Sequence, residues 1–132
     1  MKTARLPLLC VCFLLTLCFS RAEAFLPPAE AAQRVEAGEA VLIDVREPAE
    51  WKEGVAEPAL LLSLTDLKGE RNAWRPALEQ HRGKPLIVYC RSGKRSAQAA
   101  EILRREGWQV ENAGGFSAWR EAGLPERKPE VK

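Results

Sequence analysis

Cys90 closes an apolar run, Pro85 to Cys90, and is followed at once by Arg91, Ser92, Gly93, Lys94, Arg95 and Ser96. A thiol between a strand-like run and a helix-like one sits where backbone N–H groups and the positive end of a helix dipole converge. Arg91, Lys94 and Arg95 add positive charge, and no acid follows before Glu101. Each influence favours thiolate over thiol, so the residues predict a nucleophilic sulfur that attracts anions. Gly93 supplies the backbone freedom a tight cradle needs. An inert core cysteine would lie in apolar surroundings instead.

The elements that must hold this loop can be read from hydrophobic spacing. Pro27 to Ala37 has helical spacing and stops at Gly38, and Ala40 to Val45 is a continuous apolar run of strand length. A short helix opened by Pro48 and closed by Gly54 comes next, then a strand over Ala59 to Leu64 and a helical stretch from Asp66 to His81 interrupted by Pro76. The run ending at Cys90 is the third strand. Ser96 to Glu106 is a helix ended by Gly107, Trp108 to Ala113 the fourth strand, and Phe116 to Ala122 a helix ended by Gly123. Strands alternating with helices predict an α/β, doubly wound architecture, a parallel sheet with helices on both faces. Ligands of such sheets bind beyond the carboxyl ends of the strands, where Cys90 is placed.

Residues 1–24 are set apart from that pattern. Lys2 and Arg5 precede a short apolar stretch, Leu6 to Ser20, and Ala22, Glu23 and Ala24 offer small residues at the positions a signal peptidase reads. This order predicts a cleaved secretory signal over 1–24 and a globular domain over 25–132. An acylated lipoprotein anchor is disfavoured because Leu17 precedes Cys18. Of 20 basic and 18 acidic residues, Lys2, Arg5, Arg21 and Glu23 lie in that segment, leaving 17 of each in the remainder. A neutral chain carries no net field toward nucleic acid, and after cleavage no segment is expected to stay in a membrane. Cys10, Cys12 and Cys18 leave with the signal, so Cys90 becomes the single thiol of an exported protein, periplasmic in a bacterium and secreted otherwise.

Three stretches carry a family resemblance: Ile43 to Trp51, Ile87 to Trp108 and Asn112 to Pro125. In the same order and at similar spacing they resemble the rhodanese sulfurtransferases, over nearly all of the chain beyond the signal. The resemblance implies a rhodanese-like domain with four to five parallel strands and a cysteine that takes sulfane sulfur from thiosulfate or a similar donor. The cysteine holds that sulfur as a persulfide and passes it to cyanide or a thiol, with a thiol protein as another acceptor. By that pattern Cys90 is the sulfur carrier and the backbone of Arg91 to Ser96 its cradle. Arg95 leads Lys94 and Arg91 in drawing in the anionic donor, while Asp44 and Arg46 brace the loop through charge-assisted hydrogen bonds. Trp51, Trp108 and Trp119 are expected to pack, and Gly114 and Gly115 to make a close turn. No cofactor and no metal is required. His81, ahead of the third strand, is too far from the sulfur to serve as a base. Where relatives carry Gly-His-Ile and Pro-Gly-Ala, this chain reads Gly54 to Leu64 without the histidine or the second glycine, which leaves the turn at Val55 to Pro58 open.

Rival functions remain alongside. Phosphatases and arsenate reductases of the same fold use a longer loop with arginine six positions after the cysteine, whereas position 96 is serine. A thiol–disulfide oxidoreductase would want a second nearby cysteine. A sulfur carrier or binding module acting through a protein partner stays compatible with every residue above.

Overall fold

The apolar runs that contain too few polar residues to face water form the middle of a parallel sheet. In the computed structural model, which describes residues 24–130, β1 (Val41–Asp44) and β4 (Leu86–Cys90) are buried along their whole length. They are flanked by β3 (Leu60–Leu61) and β5 (Val110–Gly115) in the order β3-β1-β4-β5, every pairing parallel. The predicted signal, Ala24 excepted, lies outside the described residues. Among the described residues no helix is long and apolar enough to cross a membrane.

Alternation along the strands sends side chains to two cores. Val41, Ile43, Leu86, Val88 and Cys90 face one side, under α3 (Leu64–Lys68), α4 (Trp74–Gln80) and α5 (Lys94–Arg105). Leu42, Ile87 and Tyr89 face the other, under α1 (Pro28–Glu36) and α6 (Phe116–Glu121). Helix α5 buries Ser96, Ala99, Ala100 and Leu103, the spacing of one helical face. Cys90 is therefore the last residue of a central strand and points toward the first turn of α5. Trp108 packs against the first core and Trp119 is buried in the second, as expected of them.

Three elements differ from the sequence reading. The helical stretch from Asp66 to His81 is two helices, and the break falls at Gly69 to Ala73, not at Pro76. Pro76 is tolerated in the first turn of α4, where N–H groups have no intrahelical partner to lose. Asp66 makes the break, because its carboxylate accepts the N–H groups of Asn72 (2.9 Å), Ala73 (3.0 Å) and Trp74 (3.3 Å). The strand over Ala59 to Leu64 shrinks to Leu60–Leu61, since Ser63 turns its hydroxyl to the N–H of Asp66 and caps α3. Helix α5 begins at Lys94, two residues earlier than its spacing predicts.

The segment left open at Val55 to Pro58 finds its partner in the carboxyl-terminal region. β2 (Val55–Ala56) pairs antiparallel with β6 (Glu126–Arg127), and the Arg127 guanidinium donates to the carbonyls of Glu57 and Ala59. Between β1 and β2, α2 (Pro48–Trp51) stands at the carboxyl end of the sheet.

Replacing Asp66 by alanine leaves three amide N–H groups without their acceptor. The expected cost is about 1–2 kcal/mol, the scale of a lost helix cap, read as a lower urea midpoint at an unchanged slope.

Candidate active site

β4 delivers Cys90 to the sheet edge fully buried, so the surroundings of its sulfur decide its chemistry. The chain then turns through Gly93, whose φ of 92° is open to glycine at little cost, and enters α5 directly. That turn aims the Gly93 N–H at Sγ, 3.0 Å away, and the Ser96 hydroxyl approaches to 3.3 Å. The backbone N–H groups of Ser92 and Ser96 point to the sulfur as well. Burial pushes the Cys90 thiol up. The Ser96 hydroxyl and the amides of Ser96, Ser92 and Gly93 outweigh it, and the pKa lies below that of an ordinary cysteine. Cys90 stands at the strand end where the sequence reading put it, and hydrogen bonds favour its thiolate form more than the neighbouring cations do.

The cradle is fixed from β5. Asn112 donates from Nδ2 to the Gly93 carbonyl (3.0 Å), and its Oδ1 accepts from the Gly114 N–H (2.9 Å) and shares the single Ser96 hydroxyl hydrogen with Sγ, at 2.8 Å against 3.3 Å. One buried amide thus holds the loop at Gly93 and at Ser96. The register explains how it reaches them: Val88 lies opposite Asn112 but Cys90 opposite Gly115, a bulge that inserts an extra residue into β5. The predicted close turn at Gly114 and Gly115 follows, since a Cβ on Gly115 would stand 2.3 Å from the Arg91 carbonyl oxygen. Asn112 opened one of the resembling stretches, yet nothing in its sequence context marked it as a strut.

Arg95 has a different first partner from the anion expected of it. Its guanidinium makes a bidentate pair with Glu50 of α2, at 2.6 and 2.7 Å. Hydrogen bonding to Arg95 holds the Glu50 carboxyl at about 2, well under its ordinary 4.5. Glu50 also accepts the Glu47 N–H in a capping box, so α2 carries a rigid acceptor to the loop. Glu50 is the brace that the sequence reading assigned elsewhere. Arg91 and Lys94 are exposed.

Asp44 and Arg46, expected to brace the loop, bond instead to each other and to the turn after β1. Arg46 donates from Nε to both Asp44 oxygens (3.1 Å each) and from Nη2 to Oδ2 (2.7 Å) and to the Gly54 carbonyl (2.8 Å). These bonds fix the turn after β1 to the start of β2; the loop at Cys90 receives none of them. The guanidinium lies 4.4 Å from the Phe116 ring centroid, and Phe116 stacks on Tyr89 at 5.9 Å. Burial and the Asp44 charge raise the Tyr89 hydroxyl far above its usual range, so it stays protonated while accepting the Ala56 N–H (3.0 Å). Arg46, Arg91, Phe116, Ser117 and Arg120 line a cleft of about 290 Å³ beside the loop, with Glu50 and Glu53 at its acidic edge. His81 ends α4, ahead of β4 and at the opposite end of that strand from Cys90. Among the described residues no three metal-ligating side chains come together.

Residues 27–122 match the model of the rhodanese-like domain, and the chain belongs to that family. It is 36% identical over 92 residues to a sulfurtransferase of Allochromatium vinosum, covering 68% of this chain and 80% of that one. An uncharacterised Synechocystis protein is 37% identical over 87 residues, 64% of this chain and 45% of that protein, so the chain spans under half of that relative's length. A solved structure described as rhodanese with anions from E. coli superposes with a TM-score of 0.53 at 31% identity, covering 68% of this chain and 99% of that one.

Two outcomes follow for the cradle. Ser96→Ala removes a hydrogen bond to a charged sulfur, and alkylation of Cys90 by iodoacetamide at pH 7 should slow about tenfold, the factor that matches a charged hydrogen bond of about 1.5 kcal/mol. Glu50→Gln should lower the urea midpoint by a constant amount above pH 4.5, the ordinary Glu50 value. Because the folded-state pKa is depressed, that gap closes as pH falls from there toward 2, where the wild-type carboxylate takes up its proton.

Proposed function

We propose that the protein is a sulfurtransferase in which Cys90 carries sulfane sulfur as a persulfide. The observation that carries this reading is a buried Sγ met by the N–H groups of Ser92, Gly93 and Ser96 and by the Ser96 hydroxyl. Such a ring of donors suits a sulfur that keeps its negative charge through a two-step exchange. In the first step the thiolate attacks the outer sulfur of thiosulfate, the S–S bond breaks, and sulfite leaves with the electron pair. The outer sulfur stays on Cys90 as Cys–S–S⁻. In the second, cyanide or a thiolate attacks that sulfur, the new S–S bond breaks, and the Cys90 thiolate returns.

No general base is needed where the attacking sulfur enters as a thiolate, the form the Cys90 surroundings favour, and the leaving groups are anions. The sulfurtransferase name of the Allochromatium relative and the anions in the E. coli rhodanese title support the reading. The engagement of Arg95 by Glu50 weighs against an oxyanion enzyme, which needs a guanidinium free to grip two substrate oxygens. Arg91, exposed at the adjoining cleft, is open to a small anionic donor, while Arg46 and Arg120 in the cleft wall are already paired with Asp44 and Glu126. Export is part of the proposal, resting on the order of charge, apolar stretch and small residues over 1–24, as is a small-molecule or protein thiol acceptor.

Intact mass tests it directly. Wild type incubated with thiosulfate should gain about 32 Da, one sulfur atom held through thiol–disulfide chemistry, and lose it on adding cyanide. Cys90→Ser should gain nothing. A wild-type protein that gains no sulfur from thiosulfate, polysulfide or mercaptopyruvate ends the proposal.

A further inference from the structure

We infer that Phe25 is a specificity-determining residue: its ring forms the movable wall over the Cys90 loop, passing small sulfur compounds and holding back bulky ones. The inference deepens the sulfurtransferase reading and rests on it for its biological sense. Cys90 is wholly buried, yet any transfer chemistry must bring a donor to its sulfur. Something over the cradle has to yield.

Two glycines belong to the hydrogen-bond network of that sulfur. Gly93 gives Sγ its N–H, and Gly114 gives its N–H to Asn112, the side chain that also holds Ser96. The Phe25 ring lies on both. A Cβ built on Gly93 would stand 2.4 Å from Phe25 Cζ, and one on Gly114 would stand 2.9 Å from Cδ2. Both glycines also have positive φ, 92° and 80°, so they are suited twice over to a smooth surface that a flat ring can cover.

The ring is the part of this surface that can leave. Gly115 is pressed on the Arg91 carbonyl, and Asn112 is tied at three points, so movement on that side would dismantle the cradle. Phe25 instead precedes α1 and remains 52% exposed, the single large apolar side chain so exposed among the described residues. Its segment is fastened beside β5 by a backbone hydrogen bond from the Leu26 N–H to the Asn112 carbonyl (2.8 Å). An exposed aromatic ring set on the nucleophile's own loop is poorly placed to stabilise a core and well placed to screen a mouth. Where access passes through a minor open state, the observed rate is scaled by that state's population, so removing the wall favours reagents too wide for the closed mouth.

The test uses the full chain and two neutral reagents with one chemistry, N-methylmaleimide and N-tert-butylmaleimide, on wild type, Phe25→Ala and Phe25→Tyr. In Phe25→Ala the ratio of the tert-butyl rate to the methyl rate should rise about tenfold, the scale expected on removing a barrier that leaves the open state minor. Phe25→Tyr should keep the wild-type ratio. With persulfide-loaded protein, discharge by glutathione relative to cyanide should rise in step in Phe25→Ala. Equal acceleration of both maleimides, or no change in their ratio at an unchanged melting temperature, overturns the inference. Maleimide selectivity needs no persulfide. A raised ratio in a protein that never accepts sulfur would sink the sulfurtransferase reading and leave the wall standing.

Discussion

A thiolate at a sulfur with no exposed surface would have to draw its stabilisation from the protein, and most of the architecture around Cys90 favours that form. Burial alone would keep the thiol protonated. Backbone N–H groups offset this only if the chain turns sharply enough for several of them to face one atom, and that turn is the left-handed Gly93 followed immediately by α5. A longer loop would widen the ring of donors and loosen its hold on a single sulfur atom. The early start of α5 at Lys94, ahead of where hydrophobic spacing begins, is a consequence of the same constraint.

Such a loop cannot hold its own shape, and the sheet and α2 hold it from two sides. On one side the bulge in β5 sets Asn112 below the loop and brings Gly115 against the Arg91 carbonyl. On the other, Glu50 fastens Arg95 through a bidentate pair that is partly solvent-exposed, so its worth lies more in geometry than in net stability. The buried pair of Asp44 and Arg46 acts one layer away. Desolvating two charges is costly, and this pair recovers the cost through four further contacts: the Arg46 amide, the Gly54 carbonyl, and the Phe116 and Tyr89 rings. It shapes the cleft wall beside the loop and leaves the loop itself to Asn112 and Glu50.

The two aromatic rings near the mouth differ in kind. Phe116 is locked between Arg46 and Arg120, 4.4 and 4.5 Å from its centroid, and stacked on Tyr89. Phe25 has half its surface in solvent and rests on glycines alone in the contacts that define the cradle. A fixed cationic wall and a loose apolar one around a single nucleophile would let charge recruit a substrate while size selects it.

Cys90, its glycine and the strand before it were legible in the order of residues, because a strand-length apolar run ending in a thiol and running into a cationic turn is a local pattern. So were the parallel sheet, from alternating runs of strand and helix length, and the packing roles of Trp108 and Trp119. Local pattern could not show that Asp66 would end one helix and cap the next, since its acceptors compete with ordinary helical hydrogen bonds that spacing alone assumes. Nor could it pair β2 with β6, whose partners are some 70 residues apart. The same limit applies to the site. Arg95 and Glu50 are 45 residues apart in the chain, and Asn112 lies 16 from Ser96, so which cation is neutralised and which amide braces the loop depend on contacts made only when the sheet assembles. The sequence by itself determined which cysteine stands at the strand end before a cationic turn and the class of fold that presents it, since both rest on neighbours along the chain. Tertiary structure decided what holds the sulfur's charge and what stands over it, because hydrogen bonds and desolvation act between groups that only folding brings together.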